Sequence, residues 1–406
     1  MPADALRRQW RKLLTLLFAF GVWGAAIWPA TGFFAYQLLH DEVAGMNGLH
    51  VNRQALIGRD FVNIWHGGRE AITHGAHGVY DRAAYRRTLF AKWGFAGLYA
   101  YSYPPHMLML SVPFGVFSYL PAYALWTILG FCLFWLAARP WLRDVGLPSW
   151  AVLVLPAAFV NLWAGHFGFL IGALALYGWW RVGTQPVRSG LAFAVMTVKP
   201  HMGILVPLLL LLGKRWRVIL WAGIGTIGLV ALSTLIFGTW AWDAWLTSTL
   251  EFQAGLIEVV PRQPYSFMMP TVGRLLYSLT DDEALVLTGQ ILTGLYAVAL
   301  PIWAWRNGAR PRDLGMLGII ATPLILPYSF NYDMVALSLV ALVCAVRWGR
   351  SPLSADHLVY GAAFIIPLMI EPLARSGWWP APIVLLLFLT LAAWRMVEDA
   401  QNASAA

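Results

Sequence analysis

A chain of 406 residues with 59% apolar and 12% charged side chains carries far fewer charges than the roughly one quarter of a soluble domain, which excludes a soluble globular fold. The formal surplus of +9 is spread over short loops between apolar segments, as membrane anchors are, and this argues against a nucleic-acid partner. Cys132 and Cys344 both fall within apolar segments, so neither a disulfide framework nor a thiolate metal site is supported.

Arg7, Arg8, Arg11 and Lys12 precede an apolar stretch from Leu13 to Tyr36. It is too long for the apolar region of a signal peptide, and no small-residue cleavage site follows. It reads as a retained first span with a cytoplasmic N-terminus. A polar island then runs from Gln37 to Tyr103 with seven Lys/Arg, five Asp/Glu and five of the nine histidines. It is expected on the exterior or periplasmic side, as a catalytic loop over 37–103. Within it, Asp60 to Thr73 reads as a helix stopped by His74-Gly75, and Gly78-Val79-Tyr80-Asp81 as a turn. Arg82 to Phe95 is a second amphipathic stretch with Tyr85, Leu89, Phe90 and Trp93 on its apolar side. Such helices are expected to lie flat at the membrane surface.

From Tyr103-Pro104-Pro105 onward, apolar runs of transmembrane length recur to the C-terminus. The fold class is therefore an all-α polytopic membrane protein, one membrane domain over 1–406, with roughly ten to twelve crossings. Its 23 tryptophans and 15 tyrosines suit aromatic belts at both interfaces. Membrane helices fill 104–238, a second exterior loop spans 239–284, and C-terminal membrane helices fill 285–396. In that last block, spans are expected at 285–305, 313–327, 330–347, 357–373 and 378–396. Basic clusters at Arg139/Arg143, Arg181/Arg188, Lys214/Arg215/Arg217, Arg306/Arg310/Arg312, Arg347/Arg350 and Arg395 mark the cytoplasmic face.

Two places break the pattern. Met107 to Tyr119 is short and contains Pro113, so it is either re-entrant or one basic cluster is misplaced. The stretch 191–212 reads as two short helices broken at Lys199-Pro200, below the exterior surface.

These motifs, in this order, resemble the GT-C glycosyltransferases, and among them glycosyltransferase family 87, polyprenyl-phosphate-mannose-dependent α-mannosyltransferases. The residues that carry the likeness are Asp60-Phe61, Gly75 with Val79-Tyr80-Asp81, Tyr101-Ser102-Tyr103-Pro104-Pro105, Asn161 with Gly165-His166, and Val198-Lys199-Pro200. One departure is Gly165-His166, where many relatives carry Gly-Gln, and this leaves the role of His166 open. The resemblance implies a GT-C-type bundle with amphipathic helices in the first exterior loop. It implies a membrane glycosyltransferase that moves a hexosyl residue, mannosyl by family, from a polyprenyl-phosphate-linked donor to a lipid or glycan acceptor. It further names Asp60 as general base and implies inversion at the anomeric carbon.

The chemistry agrees from the other direction. A phosphate is a good leaving group, so transfer needs one carboxylate to deprotonate the acceptor, whereas glycoside hydrolysis needs a carboxyl pair. The competing reading of Asp60 is a residue favoured at a helix N-terminus by the helix dipole. Lys199, ionisable within an apolar run, is either a ligand for the donor phosphate or a lysine snorkelling to the surface. His201 and Arg262 are further candidates for that phosphate. His66, Tyr103, His166, Asn331 and Asp333 are candidates for sugar and acceptor contact, with Asp333 alternatively a helix start or an ion-pair partner of Lys199. His66, His74 and His77 lack a further ligand at a familiar spacing, and no metal or other cofactor is expected. Membrane lipids surround the chain, and its expected place is the bacterial inner (plasma) membrane, multi-pass, with the site periplasmic. A polyprenyl-sugar flippase or transporter and a non-catalytic polysaccharide-assembly protein are the alternatives.

Overall fold

The computed structural model describes residues 50–52, 55–95, 99–248, 264–349 and 354–405. The expected first span over 13–36, the start of the polar island and Arg262 lie outside them. Apart from a short antiparallel pairing of β1 (His50–Asn52) with β2 (Ala55–Leu56), the described chain is helical, and five of its helices are long and apolar enough to cross a membrane.

The polar island folds into α1 (Phe61–Tyr80) and α2 (Arg82–Trp93). The stop expected at His74-Gly75 is a kink instead: Gly75 takes φ +67° and the helix resumes to Tyr80. Asp81 caps α2, its carboxylate accepting from Ala83 N and Ala84 N at 2.9 Å each. The first turns of α1 do not lie flat on the surface as expected. Phe61 through His66 are all buried, because α1 sinks against α3 (Pro105–Val116). Glycines permit that approach: a Cβ on Gly115 would stand 2.8 Å from the carbonyl oxygen of Gly68. In α2, Tyr85 and Leu89 are buried as expected, whereas Phe90 faces outward.

α3 contains the ambiguous stretch. Its 12 residues rise about 18 Å, well short of the ~30 Å apolar thickness of a bilayer. By itself it is too short to cross. The chain turns at Phe117-Ser118 into α4 (Tyr119–Asp144), which does have the length to cross. Counting α3 as re-entrant removes the parity conflict with Arg139 and Arg143.

Next come α5 (Pro156–Ala164) and α6 (Gly168–Arg181), joined by a tight turn, then α7 (Pro186–Met196). The helix break expected at Lys199-Pro200 is present. α7 ends at Met196, a single 3-10 turn covers Pro200–Gly203, and α8 (Val206–Leu212) leads back toward Lys214. α9 (Trp216–Phe237) presents mostly exposed apolar residues, as a lipid-facing helix does.

After α10 (Val272–Tyr277), the C-terminal helices are α11 (Glu283–Arg306), α12 (Pro311–Ile325), α13 (Val335–Trp348), α14 (Ala355–Arg375) and α15 (Ala381–Ala405). Their positions lie close to the five expected segments, and α11, α14 and α15 are long and apolar enough to cross a membrane. α13 is buried along nearly its whole length and forms the spine of the bundle. At its C-terminal end, Arg347 bonds Asp313 at 2.7 Å and Asp399 at 2.8 Å, and nearby Arg395 bonds Asp356 at 2.6 Å. Basic residues assigned to one face by charge alone thus meet at one end of α13. Its other end begins directly after Asp333.

Candidate functional site

The site is assembled from four chain breaks at that opposite end: the entry to α1, the α5–α6 turn, the α7–α8 break, and the 3-10 turn Asn331–Asp333. Entry to α1 is a left-handed pair, Gly58 at φ +78° and Arg59 at φ +29°. Asp60 N then donates to Ala164 O at 3.0 Å, which ties the start of α1 to the end of α5.

Asn161 and Gly165 explain their places in the motif. Gly165 caps α5 in the left-handed region at φ +63°, and a Cβ there would meet the Phe61 side chain at 2.8 Å. Asn161 Oδ1 accepts from Gly168 N at 2.9 Å and so fixes the turn into α6. Together they set His166, which is buried against Tyr332 with ring centroids 4.4 Å apart.

A four-residue network follows. Tyr103 Oη lies 3.1 Å from His166 Nε2, and Lys199 Nζ lies 3.3 Å from His166 Nδ1. Lys199 Nζ donates to both carboxylate oxygens of Asp333 at 2.6 Å. Lys199 and Asp333 are 5% and 3% exposed at their side chains, so this is a buried ion pair and not a snorkelling lysine. Lys199, Asp333, His166 and Tyr103 are thus brought together as one unit. Asn331 lies beside them, buried, and its Oδ1 has no hydrogen-bond partner among the described residues. His201 is partly buried at the edge, within electrostatic range of Lys199, Asp333 and His166.

Asp60 is different. It stands at the N-cap of α1 but makes no side-chain capping bond, unlike Asp81 on α2. Among the described residues its carboxylate has no hydrogen-bond or ion-pair partner, while its charge reaches Tyr99, Tyr103, Tyr332, His166 and Lys199. The other carboxylates nearby are committed, Asp333 to Lys199 and Glu371 to Arg375 at 2.9 Å.

His66 is not part of this group. It is buried between α1 and α2, with Nε2 3.0 Å from Thr88 Oγ1 and its ring edge-on to Tyr85. Burial pushes its pKa down to about 4, so it is a neutral joint of the loop. Arg262 lies outside the described residues. Among the described residues, no group of three or more His, Cys, Asp and Glu could hold a metal ion.

Sequence reasoning passed over Arg59, Tyr99, Tyr332 and Glu371. Glu371 carried a signal, being ionisable inside an apolar run. Tyr99 and Tyr332 carried none, because an aromatic residue reads the same at a belt, a core or a site. A small apolar cleft lies between α6, α8, α12 and α13, lined by Met202, Leu205, Leu209 and Gly318 and reaching Ser329 and Asp333.

Comparison with known proteins agrees with the family resemblance, over a region that begins after Asp60. A family model described as glycosyltransferase family 87 matches residues 101–327, more than half of the chain. No curated protein and no solved structure matches.

Proposed function

The chain belongs to glycosyltransferase family 87 and is a multi-pass membrane glycosyltransferase. From that premise we propose that it transfers a hexosyl residue, mannosyl in the first instance, from a polyprenyl-phosphate donor to a lipid or glycan acceptor, inverting the anomeric carbon. Asp60 is the general base. The observation that carries this reading is that, among the described residues, the Asp60 carboxylate is uncommitted while its neighbours Asp333 and Glu371 are ion-paired.

Each structural feature has a use in such a reaction. The acceptor hydroxyl is deprotonated by Asp60 as its oxygen attacks the sugar carbon, and the donor phosphate departs with the bonding electrons. Tyr103, His166 and Asn331 offer hydrogen-bond groups for the sugar, and the unpaired Asn331 Oδ1 is an acceptor waiting for a hydroxyl. Lys199, His201 and Arg262 are the sequence's candidates for the donor phosphate, with Arg262 outside the described residues. A monophosphate donor carries a single charge that arginine and lysine can balance, so the reaction calls for no divalent metal. The site faces the periplasm of a bacterial inner membrane in this reading.

A turnover assay on the purified protein tests it. With a polyprenyl-phosphate mannose and an acceptor extract, polyprenyl phosphate should be released only when both are present, and equally with a chelator. Asp60→Asn should lower turnover by about 10² or more while the protein stays monodisperse. Near-normal turnover of that variant would remove Asp60 as the base.

A further inference from the structure

The buried lysine of the site is already neutralised. Lys199 gives its charge to both oxygens of Asp333 at 2.6 Å and shares its remaining contact with His166. A phosphate approaching it meets a pair with no net charge. Arg59 is the contrasting case. Its guanidinium is half-buried, and among the described residues its only hydrogen bond is a weak one from Nη1 to Met268 Sδ at 3.8 Å. The carboxylates whose charges reach it are its neighbour Asp60 and Glu371, and Glu371 is bonded to Arg375.

The backbone holds Arg59 where it is at a cost. A non-glycine residue at φ +29° sits in a sparsely populated region, and such strain persists where the surroundings over-determine it. Here they do: Arg59 N donates to Leu56 O at 2.8 Å, Phe61 N to Gly58 O at 2.7 Å, and Asp60 N to Ala164 O at 3.0 Å. The side chain reaches from this turn to Met268 in the 3-10 turn Pro264–Met268, within electrostatic range of Asp60.

We propose that Arg59 binds the leaving phosphate of the donor and stabilises the charge that develops on it, while Lys199 is a positioning residue locked by Asp333. The assignment rests on the transfer reading above. In the step, the acceptor O–H proton passes to Asp60 and the acceptor oxygen bonds to the anomeric carbon. The bond from that carbon to the phosphate oxygen breaks, and its electron pair stays with the phosphate. A monoanionic diester thereby becomes a dianionic monoester. An uncommitted guanidinium, with its two-pronged donor geometry, binds the dianion better than the monoanion and so favours the transition state over bound donor. Arg59 and Asp60, adjacent in sequence, then serve the two ends of one displacement.

Equilibrium binding to the full-length protein in detergent tests this, using undecaprenyl phosphate as the dianion and undecaprenyl phosphate mannose as the monoanion. Arg59→Gln should weaken the dianion by about tenfold or more, since a charged hydrogen bond contributes ~1.5–3 kcal/mol. The monoanion should lose far less, kcat should fall with KM nearly unchanged, and Arg59→Lys should recover part of both. Equal loss for both lipids, or loss for neither, overturns the assignment, as does a wild-type protein that binds no dianion. Binding does not require turnover, so the two ideas fail separately. A wild-type protein that holds the dianion through Arg59 but transfers no sugar refutes the transfer reading alone. Full transfer by Arg59→Gln refutes the arginine assignment alone.

Discussion

Lys199 and Asp333 are each nearly inaccessible, and each is tolerable only because of the other. Removing one member of a buried pair strands a charge and costs about 3–5 kcal/mol, whereas replacing both with apolar groups is often neutral. Lys199→Met should therefore lower the thermal unfolding midpoint of the detergent-solubilised protein substantially. Lys199→Met/Asp333→Leu should regain most of the loss while transfer stays impaired, because His166 and Tyr103 have lost their anchor. A single variant as stable as the parent would show that the pair is not formed in solution. The sequence marked Lys199 as a costly residue in an apolar run and left open what it does. Pairing with Asp333, 134 positions away, was one of several roles the sequence allowed for that residue, and only the fold selects it.

At the scale of elements, the approach of α1 to α3 sets the position of Asp60. The two helices meet where Gly68 faces Gly115, and there is no room for a side chain. Gly115→Val must push them apart, an overpacking cost of about 1–3 kcal/mol, and the same displacement tilts the turn that carries Asp60. Misplacement by about 1 Å can cost on the order of 10² in rate, so turnover should fall much further than stability does. Gly223→Ala is the control, since a Cβ at Gly223 meets nothing within 4 Å and α9 faces lipid. If Gly115→Val turned over as fast as Gly223→Ala, α1 would not be held by α3. Both helices could be read from sequence as apolar periodic stretches. That one of them is sunk into the bundle could not, because amphipathicity tells which face is apolar but not whether lipid or protein covers it.

Across the whole molecule, the charges sort to two ends. Arg347, Arg310, Asp313 and Asp399 cluster at one end of α13, and Lys199, Asp333, His166 and Asp60 gather near the other. Which end faces the cytoplasm rests on the positive-inside rule. In a protein with Cys132→Ala and Cys344→Ala, Ser278→Cys should react with an impermeant maleimide in sealed cells. Ser404→Cys should react only after permeabilisation. Both serines are exposed, so access to reagent and not burial decides the result. Labelling of Ser404→Cys from outside would invert the orientation and place the site in the cytoplasm.

The sequence by itself determined the class of the protein. Hydropathy made it a polytopic helical bundle, basic loops sorted its ends, a proline after a lysine announced the broken helix, and the order of weak motifs pointed to the family. Each of these is a local or additive property, legible one window at a time. Only the tertiary structure decided that α3 is too short to cross by itself, that His66 is a joint between α1 and α2, that the Lys199–Asp333 pair forms, and that among the described residues the Asp60 carboxylate has no hydrogen-bond partner and the Arg59 guanidinium only Met268. Those facts depend on which distant residue satisfies which charge. A buried charge must find its counter-charge somewhere in the fold, and the identity of that partner is fixed by packing alone.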